Sequence, residues 1–163
     1  MVDVTTIQPG TVFAWFMLFM VLRRIVLLVV AGIAGRGKPL PPGRVPEDYR
    51  SRGKPVETTT TAASNPADFP PNVRVNRTIG NDTENDTYFL ILLLATAVFS
   101  DSANGNVIRT IVYATIYLFA RICFAITYIM GLQPWRSLCF GLGLACTLAC
   151  SLDLVITMSR RSN

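Results

Sequence analysis

Arg77-Thr78-Ile79-Gly80-Asn81-Asp82-Thr83-Glu84-Asn85 runs without a break into the apolar segment Tyr88–Ser100, and whether that junction is helical decides the fold. Read as a helix at about 100° per residue, it places Arg77, Asn81, Glu84 and Tyr88, at i, i+4, i+7 and i+11, in one narrow sector. A cation, an amide, a carboxylate and a phenol then line the mouth of a membrane helix. Such a stripe is costly in a bilayer unless something polar docks on it.

Working outward, three further apolar runs frame this helix: Thr11–Ala34, Val107–Met130 and Leu138–Met158. Each exceeds the roughly 20 residues that span a bilayer as a helix. The run Tyr88–Ser100 is short, and reaches spanning length only when the polar stretch from Arg77 belongs to the same helix. The expected fold is all-α: one four-helix transmembrane bundle with helices at about 11–34, 74–100, 107–130 and 136–158. With 163 residues, 51% of them hydrophobic, there is no room for a second domain. The first run is read as a retained helix rather than a signal peptide, because no cation precedes it and Arg23-Arg24 interrupt it.

The net charge is +5, and its placement carries the topology. Arg36, Lys38, Arg44, Arg50, Arg52, Lys54, Arg74 and Arg77 crowd the first connection, so the positive-inside rule puts that loop in the cytosol and both termini on the other side. Arg160-Arg161 weigh mildly against this. The loop is rich in Pro, Gly and Thr, and its middle, 51–68, has the composition of a disordered segment. No basic stripe is interleaved with aromatics, so nucleic acid is not an expected partner. The sequons at Asn76, Asn81 and Asn85 fall in the cytosolic part of the second helix, where no glycan is expected. Asp101–Asn106, with Asn104-Gly105, reads as a turn, and so does Gly131–Trp135. Gly141 and Gly143 could let the last helix approach a neighbour closely.

Several chemistries are excluded. The chain has no histidine, which removes histidine-based nucleophilic catalysis, haem ligation and metal sites. Cys123, Cys139, Cys146 and Cys150 all lie in apolar helices with no C-x-x-C, and read as packing residues. Arg23 and Arg24, deep in the first helix, need an interior partner; Asp153 in the last helix is the acid expected to meet one of them.

Arg121 and Tyr128 share a face of the third helix, and Arg136 opens the fourth at the same membrane depth as Arg77. Arginines take carboxylates bidentately, so this set suits a small zwitterion with several carboxylates, with Glu84 taking its ammonium. The plainer alternative is helix-end cations reaching headgroups, with Glu84 and Arg121 as an internal ion pair.

Two blocks carry a resemblance: Arg77-x-x-x-Asn81-Asp82-x-Glu84-Asn85, and Ala120-Arg121-Ile122-Cys123-Phe124-Ala125-Ile126-Thr127-Tyr128 followed by Gln133-Pro134-x-Arg136-Ser137. Pro46-Glu47-Asp48 is a weaker third. Together they resemble the membrane-associated proteins in eicosanoid and glutathione metabolism, among them microsomal glutathione transferases, prostaglandin E synthase and leukotriene C synthase. The resemblance implies a homotrimer in the endoplasmic reticulum membrane, with glutathione in a cleft between subunits that opens to the cytosol. It implies that Arg77, Asn81, Glu84, Arg121 and Tyr128 hold the tripeptide, with Arg36 reaching in from a neighbouring subunit. Arg136 would sit by the sulfur with Ser137 beside it, and a lipophilic electrophile or hydroperoxide would arrive from the bilayer. The alternative is a non-catalytic scaffold of the same fold that binds glutathione or lipid, or regulates a partner enzyme. The chain departs from the family where Thr78-Ile79 replace Ala-His. It also has Gly80 where prostaglandin E synthase carries arginine, and Phe124 where that enzyme carries histidine; both make that activity less expected.

Overall fold

The computed structural model describes residues 8–36, 70–99 and 103–161, except the side chains of 103–106 and 161. The described residues form helices α1 (Pro9–Ala34), α2 (Pro71–Phe99), α3 (Ala103–Met130) and α4 (Trp135–Arg161), and no strand. The basic loop, including Pro46-Glu47-Asp48 and the stretch 51–68, lies outside the described residues.

Local chemistry sets the helix ends. Pro9 and Pro71 each open a helix, where proline loses no hydrogen bond because the first-turn N–H groups have no intrahelical acceptor. Gly131 ends α3 at φ 74°. There the Gly131 N–H reaches the Tyr128 carbonyl (3.1 Å) and the Leu132 N–H reaches that of Thr127 (2.9 Å). This pair of bonds is a Schellman closure, and it places glycine where a Cβ would be strained. Pro134 follows and its carbonyl receives the N–H of Ser137 at 3.0 Å, starting α4. The turn thus holds Tyr128 at the end of one helix and Arg136 at the start of the next.

The polar half of α2 is helical from Pro71, three residues before the sequence reading placed it. Asn and Thr are poor helix formers because their side chains compete for the backbone. Here they bond to the carbonyl one turn back: Asn76 to Asn72, Thr78 to Arg74, Thr83 to Ile79, Asn85 to Asn81 and Thr87 to Thr83. Each side chain thus places a donor on its own helix rather than pulling the backbone out of it. The Asp101–Asn106 turn is corrected in part. Helix α3 begins at Ala103, so Asn104-Gly105 lie in its first turn, where a helix tolerates weak formers because few of its hydrogen bonds start there.

Helices α2 and α3 form the centre, touching each other and both flanking helices, α1 and α4. Phe89 and Tyr117 stack between them with ring centroids 3.7 Å apart, and Phe16 meets the edge of Phe89. Met20, Leu93, Ala114, Cys146 and Cys150 complete this core. The cysteines pack as expected: Cys150 Sγ lies 3.6 Å from Thr96 Oγ1 and Cys146 Sγ 3.5 Å from the Tyr113 carbonyl. Gly143 is buried against α3, where an added Cβ would touch Arg121 Cδ at 3.6 Å, whereas Gly141 faces open space. Of the two glycines only Gly143 serves close approach.

The outer surface is apolar. Helix α1 buries Phe16, Met20 and Leu27 and turns Trp15, Phe19, Val26 and Val29 outward. Three helices, Pro9–Ala34, Val107–Met130 and Trp135–Arg160, are long and apolar enough to cross a membrane. An apolar exterior around charged side chains is the arrangement a bilayer selects.

Candidate functional site

At the end of the bundle where α3 turns into α4, helices α2, α3 and α4 enclose an open cleft of about 360 Å³. It is lined by Arg77 and Asn81 from α2, Phe124 and Tyr128 from α3, and Arg136, Ser137 and Phe140 from α4. The Arg136 guanidinium lies over the Tyr128 ring, 5.0 Å from its centroid. Phe124 packs against both Tyr128 (5.5 Å) and Phe140 (5.9 Å). One wall is therefore aromatic and the other carries hydrogen-bond donors.

Of the residues expected from the sequence, Arg77, Asn81, Tyr128, Arg136 and Ser137 meet in this cleft. Arg121 does not line it. Its side chain is 1% exposed and stands behind Asn81, donating from Nη2 to Asn81 Oδ1 at 2.8 Å. Glu84 and Tyr88 face outward, Tyr88 at 70% exposure, and Arg36 is exposed in the turn after α1. Within one chain, therefore, only part of the expected set meets. The polar sector is continuous along α2, but α3 and α4 wall in only the part bearing Arg77 and Asn81.

Behind the cleft lies a buried ion cluster that the sequence reading missed. Asp82, 1% exposed, pairs with Arg121, and Arg23 Nη2 stands 3.3 Å from its other oxygen. Asp86 pairs with Arg23, accepts a bond from the Tyr117 hydroxyl at 3.0 Å and lies 3.7 Å from Arg121 Nε. Two guanidinia meet two carboxylates, so the formal charges cancel. Buried ions persist at this depth only when paired in this way. Arg24 donates to the Ile79 carbonyl at 3.0 Å, tying α1 to the same turn of α2.

The cluster overturns two pairings. Arg23 does not meet Asp153. Helix α1 packs on α2 and α3, whereas Asp153 on α4 pairs with Arg109 at 3.4 Å, and Arg109 also donates to Thr157 at 3.0 Å. Nor does Glu84 pair with Arg121, which takes Asp82 instead. A signal for the cluster was present in the sequence. Asp82, Asp86, Phe89 and Leu93 repeat the i, i+4, i+7, i+11 spacing five residues on from the Arg77 stripe, about 140° round the helix. Phe89 and Leu93 are fully buried. Acids in register with a core-facing apolar pair must face the core too.

Residues 12–156, nearly the whole chain, match the MAPEG family, the membrane-associated proteins of eicosanoid and glutathione metabolism. The chain belongs to that family. No curated protein sequence matches it. MAPEG proteins include glutathione transferases and related proteins, and members typically use glutathione. Together with its apolar helices, this makes the chain a multi-pass membrane protein. Within the MAPEG frame its departures have a structural address. Gly80 is exposed with open space beyond its Cα, and Phe124 is buried as part of the cleft's aromatic wall.

Proposed function

We propose that this MAPEG protein is a glutathione transferase that delivers the glutathione thiolate to lipophilic electrophiles or hydroperoxides entering from the bilayer. One observation carries the reading: Arg77, Asn81, Tyr128, Arg136 and Ser137 come from three helices and converge on one open cleft. A tripeptide with two carboxylates and a thiol suits a wall of guanidinia, amide and hydroxyls. A free thiol has a pKa near 8.5, so only a few per cent is thiolate at pH 7. A guanidinium beside the sulfur favours the anion, and we assign that role to Arg136, with Ser137 as a second donor. With a carbon electrophile the thiolate forms a C–S bond as the leaving group departs or the ring opens; with a hydroperoxide it takes the terminal oxygen as the O–O bond breaks and an alcohol leaves, and a second glutathione converts the resulting sulfenic acid to disulfide and water.

In this reading the protein is a single-domain homotrimer of the endoplasmic reticulum membrane. Glu84, Tyr88 and Arg36, which face outward in one subunit, complete the cleft across the subunit boundary. Glu84 then meets the ligand's ammonium, and the basic loop lies on the cytosolic side. Calorimetry of glutathione against the detergent-solubilised protein tests binding, and conjugation of a chromogenic aryl halide tests turnover. The expected result is binding in the micromolar to millimolar range, with turnover that falls in Arg136→Ala. Absence of heat at millimolar glutathione would remove the proposal.

A second reading, a non-catalytic glutathione- or lipid-binding scaffold, is favoured by Gly80 and Phe124, which leave the chain fewer polar groups than a prostaglandin E synthase. Tight glutathione binding without conjugation across a broad electrophile panel would select it.

A further inference from the structure

We infer that Arg121, Asp82, Asp86, Arg23 and Tyr117 form a positioning assembly that fixes the orientation of the Asn81 amide, so that it offers the cleft a donor and selects for a carboxylate-bearing ligand. The inference rests on the proposed glutathione reading and goes further, giving the buried cluster a part in specificity.

The argument starts from the chemistry of the two side chains that touch. An arginine guanidinium carries only N–H donors and has no acceptor. The Asn81 atom that meets Arg121 Nη2 at 2.8 Å must therefore be the amide oxygen. With the oxygen drawn toward the buried cluster, the Nδ2 group is the branch left for the cleft that Asn81 lines. An asparagine without such a neighbour could turn its amide over at little cost and present either group. Here the turn would bring the NH2 group against a buried guanidinium. The cleft is then edged by donors from Arg77, Asn81 and Arg136, with hydroxyls at Tyr128 and Ser137. Such an edge favours carboxylates over amides and ammonium groups.

Arg121 can enforce this orientation only if it is itself held. Its Nη2 is held by Asp82, and its Nε faces Asp86 at 3.7 Å, an ion-pair contact longer than a hydrogen bond. Asp86 is in turn held by the Tyr117 hydroxyl at 3.0 Å and by Arg23 from α1. Arg23 also reaches Asp82 at 3.3 Å, closing the ring of contacts. Side chains from α1, α2 and α3 thus converge on one guanidinium, whose Nη2 is shared between Asp82 and Asn81. It also lies over the Phe124 ring, 4.7 Å from its centroid, but that apolar wall residue carries no hydrogen-bonding group, so Asn81 is the polar cleft residue it reaches. Arg121 and its holders do not line the cleft, so they are positioning residues that act through Asn81.

The test compares glutathione with its diamide, in which both carboxylates are capped, by calorimetry on the full chain in detergent micelles. Wild type should prefer the acid. Tyr117→Phe removes one hydroxyl from the holding set and keeps every charge. It should cut the acid-over-amide preference about fivefold, the scale of one hydrogen bond. Asp86→Asn should cut it further; Tyr117→Phe is the milder variant should Asp86→Asn fold poorly. In an Asn81→Ala background, Tyr117→Phe should change the preference less than about twofold, because the path runs through Asn81. A purely structural cluster would lower melting temperature while leaving the preference unmoved in both backgrounds. That outcome, or equal losses in both backgrounds, overturns the inference while the glutathione reading stands. Wild-type protein that binds neither compound overturns both.

Discussion

Replacing Asp82 by Asn removes one charge from a neutral buried cluster and changes almost no volume. Its carboxylate is 1% exposed and faces Arg121, also 1% exposed, and Arg23, 10% exposed. Afterwards two guanidinia share Asp86 alone. Breaking a buried ion pair by removing one partner costs about 3–5 kcal/mol, because the orphaned charge stays buried. The lower end of about 3 kcal/mol is expected, since Asp86 remains 3.7 Å from Arg121 Nε and paired with Arg23. The matched control is Asp153→Asn. Arg109 is 45% exposed and Asp153 25%, and a pair that open is worth about 0–1 kcal/mol. Unfolding in mixed micelles of rising SDS fraction, followed by circular dichroism, measures both. Adding Arg121→Gln should recover part of the loss, making the double variant less damaging than the sum of the singles. If Asp82→Asn cost no more than Asp153→Asn, or if the two cluster variants were strictly additive, the reasoning from burial would be refuted.

Other outcomes follow from the same geometry. Exchanging charges with Arg23→Asp and Asp86→Arg should restore folding better than Arg23→Asp with Asp153→Arg; trimmed expression and micelle stability report which partner is real. Arg136→Ala should lower conjugation rate more than glutathione affinity. Because a guanidinium favours thiolate, its loss should also move the rising limb of the rate against pH to higher pH, and an unshifted limb would take Arg136 away from the sulfur. Gly80→Ala should stabilise α2 by about 0.5–1 kcal/mol, since nothing lies within 4 Å of the new Cβ; a loss of stability in the same unfolding assay would show that side to be occupied. Gly143→Leu should destabilise the α3–α4 seam and disturb Arg121, whose Cδ is 3.6 Å from the new Cβ position, whereas Gly141→Leu should be silent in that assay.

Sequence alone determined the helix count, their near-bounds and the apolar exterior. These depend on run length and on backbone hydrogen bonds that each helix satisfies internally, and no neighbour is needed to read them. It also brought Arg77, Asn81, Tyr128 and Arg136 to one end of the molecule, because helix spacing and the short Gly131–Pro134 turn carry that information; Ser137 came only with the family resemblance. Periodicity gives direction about one helix axis, but it does not say which neighbour lies in that direction. Two stripes five residues apart on α2, Arg77/Asn81/Glu84/Tyr88 and Asp82/Asp86/Phe89/Leu93, share the same helical spacing, and only the apolar Phe89 and Leu93 hint at which faces inward. The packing of α3 against α2 decided that the second is core and that part of the first is open. The partner of Arg23 was settled in the same way: α1 lies beside α2, and charges at low dielectric pair with what is within reach.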